Sequence, residues 1–219
     1  MSKEIENCYF FIPARKGSEG LRLKNRKLLH HTINSIPKEY RHLVYISTDD
    51  ERIKQISINS NIKVIDRPTE LATSESSVLP VIQHFIDIKN IPADKDIILL
   101  YLTYPERTWD DIISIYQFYK KHSATSLVCA EQIDKHPYLC FYEEPDLKGG
   151  LVVDHKLYRR QDYPKCFKIS LFVACYKSHI VNNNMHDLLV EPNTIFYKLN
   201  KTKIDIDSQT DFNLIKEKI

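Results

Sequence analysis

Short apolar segments alternate with longer amphipathic ones along the first 130 residues, and this alternation constrains the fold more than any other feature. The apolar segments are rich in Ile, Val, Leu, Tyr and Phe, as is typical of buried strands, and span residues 8–12, 43–47, 63–65, 97–102 and 126–130. The amphipathic segments have apolar residues at helical spacing and span residues 27–36, 50–59, 76–88 and 109–121. Unbroken apolar strands joined by helices predict an α/β fold, a three-layer arrangement in which helices cover both faces of a mostly parallel sheet.

The alternation stops after Ala130. Residues 131–164 contain polar side chains, three prolines, the pair Gly149 and Gly150 and several tyrosines, without a clear period. A segment of this length cannot bury itself, so we expect an arm or insertion that packs on a neighbouring subunit or covers a site. Regular structure is predicted to return at residues 168–176 and around residues 185–190, followed by a strand at 203–206 and a last helix ending at Lys218.

Composition limits the partners and the compartment. A length of 219 residues suits one α/β domain, so residues 1–219 are predicted to form a single domain. A formal net charge of +2 gives no reason to expect a nucleic-acid partner. The five cysteines include no CxxC pair and lie mostly in apolar runs, which is typical of reduced core thiols. The first apolar run is too short for a signal peptide or a membrane span, so we expect no membrane association and, by default, a cytoplasmic location.

The loop after the first predicted strand, IPARKGSEGLRLKN, contains two of the four glycines, Gly17 and Gly20. In an open parallel sheet, ligands bind beyond the carboxyl ends of the strands, and a Gly-containing loop there can turn its N–H groups toward an anion. The cations of this loop suit a triphosphate: Arg15, Lys16, Arg22 and Lys24. The alternative is an exposed basic loop. Neither GxGxxG nor a P-loop motif is present, which argues against a dehydrogenase and an ordinary kinase.

Six sequence blocks, in order along the chain, carry a resemblance to a known family. They are IPAR with Gly17-Ser18 and Lys24-Asn25, ISTDD at 46–50, RPTELATSESS at 67–77, KHPY at 135–138, RRQDYP at 159–164 and IDID at 204–207. Together they resemble the acylneuraminate cytidylyltransferases, the family of the CMP-sialic acid synthetases. The resemblance implies a Rossmann-like nucleotide-diphospho-sugar transferase fold, with a protruding dimerisation arm at 131–164 and a homodimer.

The activity implied by the resemblance is the coupling of CTP to an acidic sugar. The acceptor would be a 2-keto-3-deoxy, nonulosonate-like sugar, and the products a CMP-sugar and pyrophosphate, for surface polysaccharide or glycan biosynthesis. The loop would wrap CTP, with Arg15 and Lys24 on the phosphates and on the departing pyrophosphate. The remaining nucleotide contacts would come from Ala14, Gly17, Ser18, Asn25, Arg67 and Ser77, the last two around the cytosine.

Structural alternatives exist for three residues in two of these blocks. Asn25 is also placed to cap the helix that follows it, and Ser76 to cap the next one. Arg67 has Asp66 and Glu70 as candidate partners for a surface ion pair.

Spacing within IDID predicts a metal site. In a strand, residues two apart share a face, so Asp205 and Asp207 would project together while Ile204 and Ile206 face the core. Two carboxylates on one face repel each other unless a cation lies between them. Mg²⁺ fits because it takes one or two carboxylates and bridges phosphate oxygens, and the family motif agrees. The alternative is an edge strand with a solvated polar face.

The resemblance also implies an acceptor site, and here the chain departs from the family. The implied sugar-binding residues are Tyr101, Thr103, Tyr104, Lys135, His136, Arg160, Gln161 and Ser170. The family run Leu-Leu-Gln-Pro-Thr-Ser-Pro is replaced by LLYLTYP at 99–105, and Ser170 and Leu171 stand where the family has Asn-Gly. Such changes alter the size and hydrogen-bonding pattern of a pocket. We therefore expect N-acetylneuraminate to be a poor acceptor.

Two alternatives to this function stay open. In the first, the protein is an enzyme whose acceptor is a Kdo-like sugar or a phosphonate. The second is a catalytically silent nucleotide-binding protein that has lost its acceptor site.

Overall fold

The computed structural model describes residues 5–17, 20–181 and 190–216. Its strands are β1 (Cys8–Pro13), β2 (Val44–Thr48), β3 (Lys63–Asp66), β4 (Asp96–Leu99), β5 (Ser126–Gln132), β6 (Phe141–Glu144), β7 (Lys148–Leu151), β8 (Phe167–Lys177) and β9 (Ile195–Lys198). Its α-helices are α1 (Lys24–Asn34), α2 (Glu51–Asn59), α3 (Val78–Lys89), α4 (Trp109–Lys121), α5 (Ser178–Val181) and α6 (Gln209–Ile215).

Seven strands form one sheet in the order β3-β2-β1-β4-β8-β5-β9. Strand β1 lies at its centre and pairs in parallel with β2 and β4, so that Phe10 lies opposite both Val44 and Ile98. Only β8 among the described strands of this sheet runs antiparallel to its neighbours, β4 and β5. The predicted mostly parallel sheet is confirmed, and the carboxyl ends of the parallel strands share one edge with the start of β8.

Helices cover both faces of the sheet, as the alternation predicts. Along β1, Phe10 and Ile12 face one core cluster and Phe11 the other, because successive side chains of a strand point to opposite faces. The first cluster contains the apolar faces of α1 and α4, and the second that of α3, which contributes Val81, Ile82 and Phe85.

The predicted core thiols are confirmed for Cys8, Cys129 and Cys175, which are buried and free. Cys140 is exposed and Cys166 partly so, and both lie near the arm. No helix among residues 5–17, 20–181 and 190–216 has the length and apolar character needed to cross a bilayer.

The strand predicted at 203–206 is wrong. These residues form no strand, and the parallel edge partner of β5 is β9, where Phe196 lies opposite Val128. The N–H of Ile206 instead donates to the carbonyl of Thr103, outside any sheet, which leaves the IDID block at the edge of the site. The stretch predicted around residues 185–190 and the end of the last helix at Lys218 lie largely outside the described residues.

The arm is more regular than predicted. Strands β6 and β7 pair antiparallel as a hairpin, with Phe141 opposite Leu151 and Tyr142 opposite Gly150. The hairpin has no apolar alternation because one strand contains two glutamates and the other two glycines. A Cβ atom at Gly149 would contact the ring of Phe141, so a larger residue there would displace that exposed ring. Strand β5 also extends to Gln132, two residues beyond the predicted end.

Candidate active site

A cavity of about 500 Å³, the first cavity, lies at the carboxyl edge of the parallel strands. The loop after β1, the start of α3 and the loop after β4 surround it. The structure brings six of the predicted site residues to its wall: Arg15, Lys24, Asn25, Arg67, Ser77 and Asp207. Tyr101 and Thr103, predicted to bind the sugar, line the same cavity.

The backbone of the loop after β1 is held by β2 and its following turn. The N–H of Ala14 donates to the carbonyl of Ser47, and the carbonyl of Ala14 accepts the hydroxyl of Thr48. The N–H of Lys16 donates to Oδ1 of Asp49 at 2.7 Å. The ISTDD block therefore holds the backbone of the loop in place through these hydrogen bonds. Ser18 lies outside the described residues, and Gly17 is described but is not among the residues that line the first cavity.

Asn25 does not cap the helix. Helix α1 begins at Lys24 after Leu23, whose backbone is left-handed and whose side chain makes no cap. The Nδ2 of Asn25 instead donates to the carbonyl of Arg15 at 2.8 Å. This bond ties the first turn of α1 to the loop and leaves the Asn25 side chain at the cavity wall.

Two contacts join the loop to the IDID block. The Nζ of Lys24 lies 2.7 Å from Oδ1 of Asp207. Gly20 has a φ of +78°, and a Cβ atom there would clash with the carbonyl oxygen of Asp207. The cationic loop and the acidic block are therefore in direct backbone and side-chain contact.

Asp205 and Asp207 flank the buried Ile206 and both side chains are exposed. Asp207 lines the first cavity, whereas Asp205 lines a second cavity of about 360 Å³. Partial burial raises the pKa of Asp205 and the charge of Asp207 raises it further, while hydrogen bonds with Thr103 and Tyr104 lower it. A cation bound between them would relieve this repulsion.

The donor set fits Mg²⁺ better than a transition metal. Among the described residues, no cluster of three or more His, Cys, Asp and Glu side chains is arranged to hold a metal ion. Two carboxylates, Asp207 at the first cavity and Asp205 at the second, are nevertheless the kind of oxygen donor that Mg²⁺ takes when phosphates and water complete its shell.

Arg67 is buried and makes no ion pair among the described side chains. Its Nε donates to the hydroxyl of Ser47 and its Nη2 to the carbonyl of Ser47, at 3.2 and 3.0 Å. Burial lowers the pKa of Arg67 to about 10, and the charge of Asp49 partly offsets the effect. The surface ion pair considered for Arg67 is absent, and Asp66 pairs with Lys54 at 2.6 Å instead.

The start of α3 differs from the alternative in which Ser76 caps it. Ser77 occupies the N-cap position, with no capping bond from its side chain, and α3 begins at Val78. The hydroxyl of Ser76 lies 3.0 Å from the carbonyl of Glu70, to which it donates. Both serines line the first cavity beside Arg67.

The second cavity collects another part of the predicted acceptor set. Tyr104, Ser170 and Asp205 line it together with Glu131, Lys168 and Lys203. The hydroxyl of Ser170 donates to Oε1 of the buried Glu131 at 2.9 Å, and Lys168 Nζ lies 3.1 Å from the other oxygen. Burial raises the pKa of both Tyr101 and Tyr104, so their hydroxyls are neutral donors.

The remaining predicted acceptor residues lie in the arm. His136 and Arg160 line an arm cavity of about 470 Å³, and Lys135 and Gln161 are exposed nearby in sequence. The His136 ring bonds through Nε2 to the carbonyl of Pro164 and accepts the N–H of Tyr138 at Nδ1. The structure thus divides the predicted acceptor residues among three cavities rather than one.

Sequence reasoning left three residues of this region out of the site. Gly20 had a signal, since glycine is scarce in the chain. Glu131 had a weaker one, because it is a charged residue that continues the apolar run of β5. Arg107 is buried between the loop after β4 and β8, and nothing in its local sequence separates it from a surface arginine.

Comparisons with known proteins agree with this geometry. A family model described as cytidylyltransferase matches residues 9–99, which include β1 to β4 and Arg67. The N-acylneuraminate cytidylyltransferase of Streptococcus agalactiae serotype V is 25% identical over 214 residues, covering 92% of this chain and 50% of the relative. The protein of the same description from Escherichia coli is 26% identical over 222 residues, covering 93% and 50%. The chain spans about half the length of these curated relatives.

Solved structures of two synthases share the fold. The CMP:2-keto-3-deoxy-manno-octonic acid synthetase complexed with CTP superposes with a TM-score of 0.64 at 15% identity, covering 96% of this chain and 97% of the other. The 4-diphosphocytidyl-2C-methyl-D-erythritol synthase of Anaerococcus prevotii gives a TM-score of 0.62 at 12% identity, covering 98% and 97%. Over residues 9–99 the chain therefore matches the cytidylyltransferase family model, and along most of its length it is similar to the N-acylneuraminate cytidylyltransferases.

Proposed function

We propose that this protein transfers a cytidylyl group from CTP to an acidic, 2-keto-3-deoxy sugar of the nonulosonate type, giving a CMP-sugar and pyrophosphate. The observation that supports it most is the first cavity. There Arg15, Lys24 and Arg67 line the same cavity as Asp207, at the carboxyl edge of the sheet.

Within this proposal, the first cavity holds the nucleotide. Arg15 and Lys24 bind the phosphates, and their charges stabilise the pyrophosphate as it leaves. Arg67 and Ser77 also line this cavity, and their guanidinium and hydroxyl groups suit the carbonyl and ring nitrogen of cytosine. Asn25 keeps the loop on the first turn of α1 through its bond to Arg15.

Asp205 and Asp207 would hold Mg²⁺ in this reaction. When bound there, Mg²⁺ would supply neutralisation of the negative charge of the triphosphate. Lys24 holds Asp207 through one carboxylate oxygen and leaves the other available. Catalysis by the chain itself consists of positioning and charge stabilisation.

The acceptor is proposed to enter through the second cavity, next to Asp205. Tyr104 and Ser170 offer hydroxyls there, Lys168 and Lys203 offer cations for a carboxylate, and Glu131 offers an acceptor for sugar hydroxyls. A pocket with this pattern differs from the amide-rich one that the resemblance implies. We therefore propose an acceptor other than N-acetylneuraminate. A Kdo-like sugar or a phosphonate would use the same cations, and a silent nucleotide-binding protein would not need them.

A homodimer formed through the arm also belongs to the proposal. The hairpin exposes large apolar side chains, with Phe141 at 68% and Tyr142 at 63% of their full exposure. Isolated two-stranded hairpins are marginally stable, and an exposed apolar patch of this kind suits a second copy of the chain.

Measuring pyrophosphate release tests the function. The purified protein is given CTP, Mg²⁺ and, in turn, N-acetylneuraminate, Kdo and pseudaminic- or legionaminic-type sugars, with Asp207→Asn as the matched control. We expect release with at least one acidic sugar, loss of release in the control, and a kcat/KM for N-acetylneuraminate below that of another sugar. Tight CTP binding without release on any acceptor would contradict the proposed enzyme. The highest kcat/KM on N-acetylneuraminate would contradict the reshaped acceptor pocket.

A further inference from the structure

Strand β8 contains an irregularity beside the second cavity. Its pairing with β5 changes register between Val128 and Cys129, so that Val128 lies opposite Ala174 and Cys129 opposite Ser170. The residues between them, 171–173, have no partner in this register. Pairing with β4 begins only at Ala174. A bulge of this size leaves backbone groups without their usual strand partners in a buried region.

Arg107 supplies one of the missing partners. Its Nη1 donates to the carbonyl of Phe172, inside the bulge, at 2.7 Å. Its Nη2 donates to the carbonyl of Tyr101, in the loop after β4, at 2.9 Å. The planar fork of a guanidinium can reach two carbonyls in this way, whereas an ammonium offers a single donor centre.

The position of Arg107 is costly to maintain. Its side chain is buried, at 3% exposure, and it makes no ion pair among the described residues. Buried charges without a counter-charge are rare unless hydrogen bonds compensate them. Its third bond, from Nη2 to the hydroxyl of Thr32 on α1, is longer, at 3.3 Å. The two carbonyls are therefore the main contacts of this charge.

The two segments that Arg107 joins form walls of the proposed site. Tyr101 and Thr103 line the first cavity, while Tyr104 and Ser170 line the second. The carbonyl of Thr103 also accepts the N–H of Ile206, between the two aspartates. A shift of this loop relative to the bulge would alter the width of the second cavity and the position of Asp205.

We propose that Arg107 is a positioning residue, one that sets the shape of the second cavity by fixing the loop at Tyr101 to the β8 bulge at Phe172. The inference rests on the proposed function only where it names the second cavity as the acceptor side. The two carbonyls that Arg107 holds lie in LLYLTYP and directly after Ser170-Leu171, the two segments where the chain departs from the family pattern.

Three variants of the full chain test the proposal. Arg107→Met removes the fork, Arg107→Lys keeps the charge without the fork, and Thr32→Val removes only the third bond, so that it serves as the structural control. Amide hydrogen exchange is measured on peptides covering 99–105, 168–174 and, as an internal reference, β1. Steady-state KM is measured separately for CTP and for the acceptor.

In both Arg107 variants we expect faster exchange at 99–105 and at 168–174 together, with β1 unchanged, and unchanged protection in Thr32→Val. We expect the acceptor KM to rise about tenfold and the CTP KM less than about threefold, since a misplaced wall affects the group it orients. If Arg107→Met fails to fold, the hydrogen exchange and KM values of Arg107→Lys decide whether Arg107 has this positioning role.

The positioning role of Arg107 would be overturned if amide hydrogen exchange were unchanged in both segments or changed in only one. Equal increases of the KM values for CTP and for the acceptor would also overturn it. A wild-type chain without turnover would refute the proposed function, and the exchange measurement would still decide the role of Arg107.

Discussion

The ammonium of Lys24, at the first residue of α1, lies 2.7 Å from Oδ1 of Asp207, 183 positions further along the chain. The lysine side chain is nearly buried, at 12% exposure, and the aspartate is open, at 74%. An ion pair with so exposed a partner contributes little to folding, less than about 1 kcal/mol. The contact therefore orients the groups more than it stabilises the fold.

Replacement of Lys24 by Met should separate catalysis from stability. Turnover is expected to fall about 100-fold, or about 2.7 kcal/mol, because a charge that stabilises the leaving pyrophosphate is lost. The melting temperature is expected to move by less than about 3 °C. Lys27→Met, on the same helix, is the control and should retain turnover. Equal turnover in Lys24→Met and Lys27→Met would remove Lys24 from the site.

The two glycines of the loop should respond differently to alanine. Gly20→Ala forces a side chain into a left-handed backbone and against the Asp207 carbonyl, so we expect a lower melting temperature and at least about a tenfold loss of turnover. At Gly17 the one described atom that a Cβ would meet is Nη1 of Arg15, at 3.6 Å, and the expected effect of Ala on the free energy of unfolding is within about 0.5 kcal/mol. Thermal melts and pyrophosphate assays compare them. Similar losses in the two variants would argue against close packing at Gly20.

Nucleotide selectivity should depend on Arg67. Calorimetry is expected to give tighter binding of CTP than of ATP or GTP. Arg67→Lys should lower this preference about tenfold. The buried guanidinium would form its hydrogen bonds with cytosine and would be left without partners by another base, and a lysine lacks this pattern of donors. Arg26→Lys is the control, because Arg26 bonds Asp50 and is not among the lining residues of the first cavity. Equal affinities for the three nucleotides in the wild-type protein would rule out the cytosine contact.

The ionised carboxylate of Asp205 should stabilise the folded chain less than its protonated form does. Its pKa is raised by burial, so the folded chain holds this proton more tightly than the unfolded chain does. The corresponding stability is present at low pH and is lost as the pH rises through the raised pKa. In the absence of metal at pH 7, Asp205→Asn is therefore expected to raise the melting temperature while it lowers turnover at least about tenfold.

Asp211→Asn serves as the control of opposite sign. Hydrogen bonds from Ser208 lower the pKa of Asp211, in the capping box of α6, so its stability is present at neutral pH and lost on acidification. Its loss should lower the melting temperature at pH 7. A destabilised Asp205→Asn variant would show that the carboxylate is held for folding rather than for a ligand.

The arm predicts the oligomeric state. Light scattering at micromolar concentration should report a homodimer, and the double variant Phe141→Asp with Tyr142→Asp should report a monomer, because charges would be buried in the shared surface. Ile58→Asp on α2, where the side chain is 61% exposed, is the matched control and should leave the dimer intact. A wild-type monomer would contradict the arm as a dimer contact.

The half of the chain up to β5 was predictable from the sequence because its signals are local. An apolar strand such as β1 and an amphipathic helix such as α4 each show their period within a dozen residues. The glycines and cations after β1 are an equally local signal, and the structure places Arg15, Gly20 and Lys24 at the wall of the first cavity.

The second half was harder because its structure depends on distant partners. Residues 203–206 alternate like a strand, but Ile206 bonds the loop at Thr103, and β9 takes the place beside β5. Arg107 acts through carbonyls of Tyr101 and Phe172, and backbone groups leave no trace in side-chain patterns. The hairpin of β6 and β7 was not predicted because its glycines and glutamates interrupt the alternation of apolar residues that is typical of strands.

Strands β5 and β8 are neighbours in the sheet, and the arm leaves from one and returns to the other. The two attachment points, Gln132 and Phe167, lie opposite each other in the pairing of β5 with β8. The chain between them therefore leaves the sheet and returns to it at the same place. Its length and sequence can change without moving β1, the loop after it or Arg67. Residues 133–166 are therefore open to exchange for the corresponding segment of a relative, and if the arm pairs subunits as proposed, such a graft would alter the pairing while the first cavity keeps its lining residues.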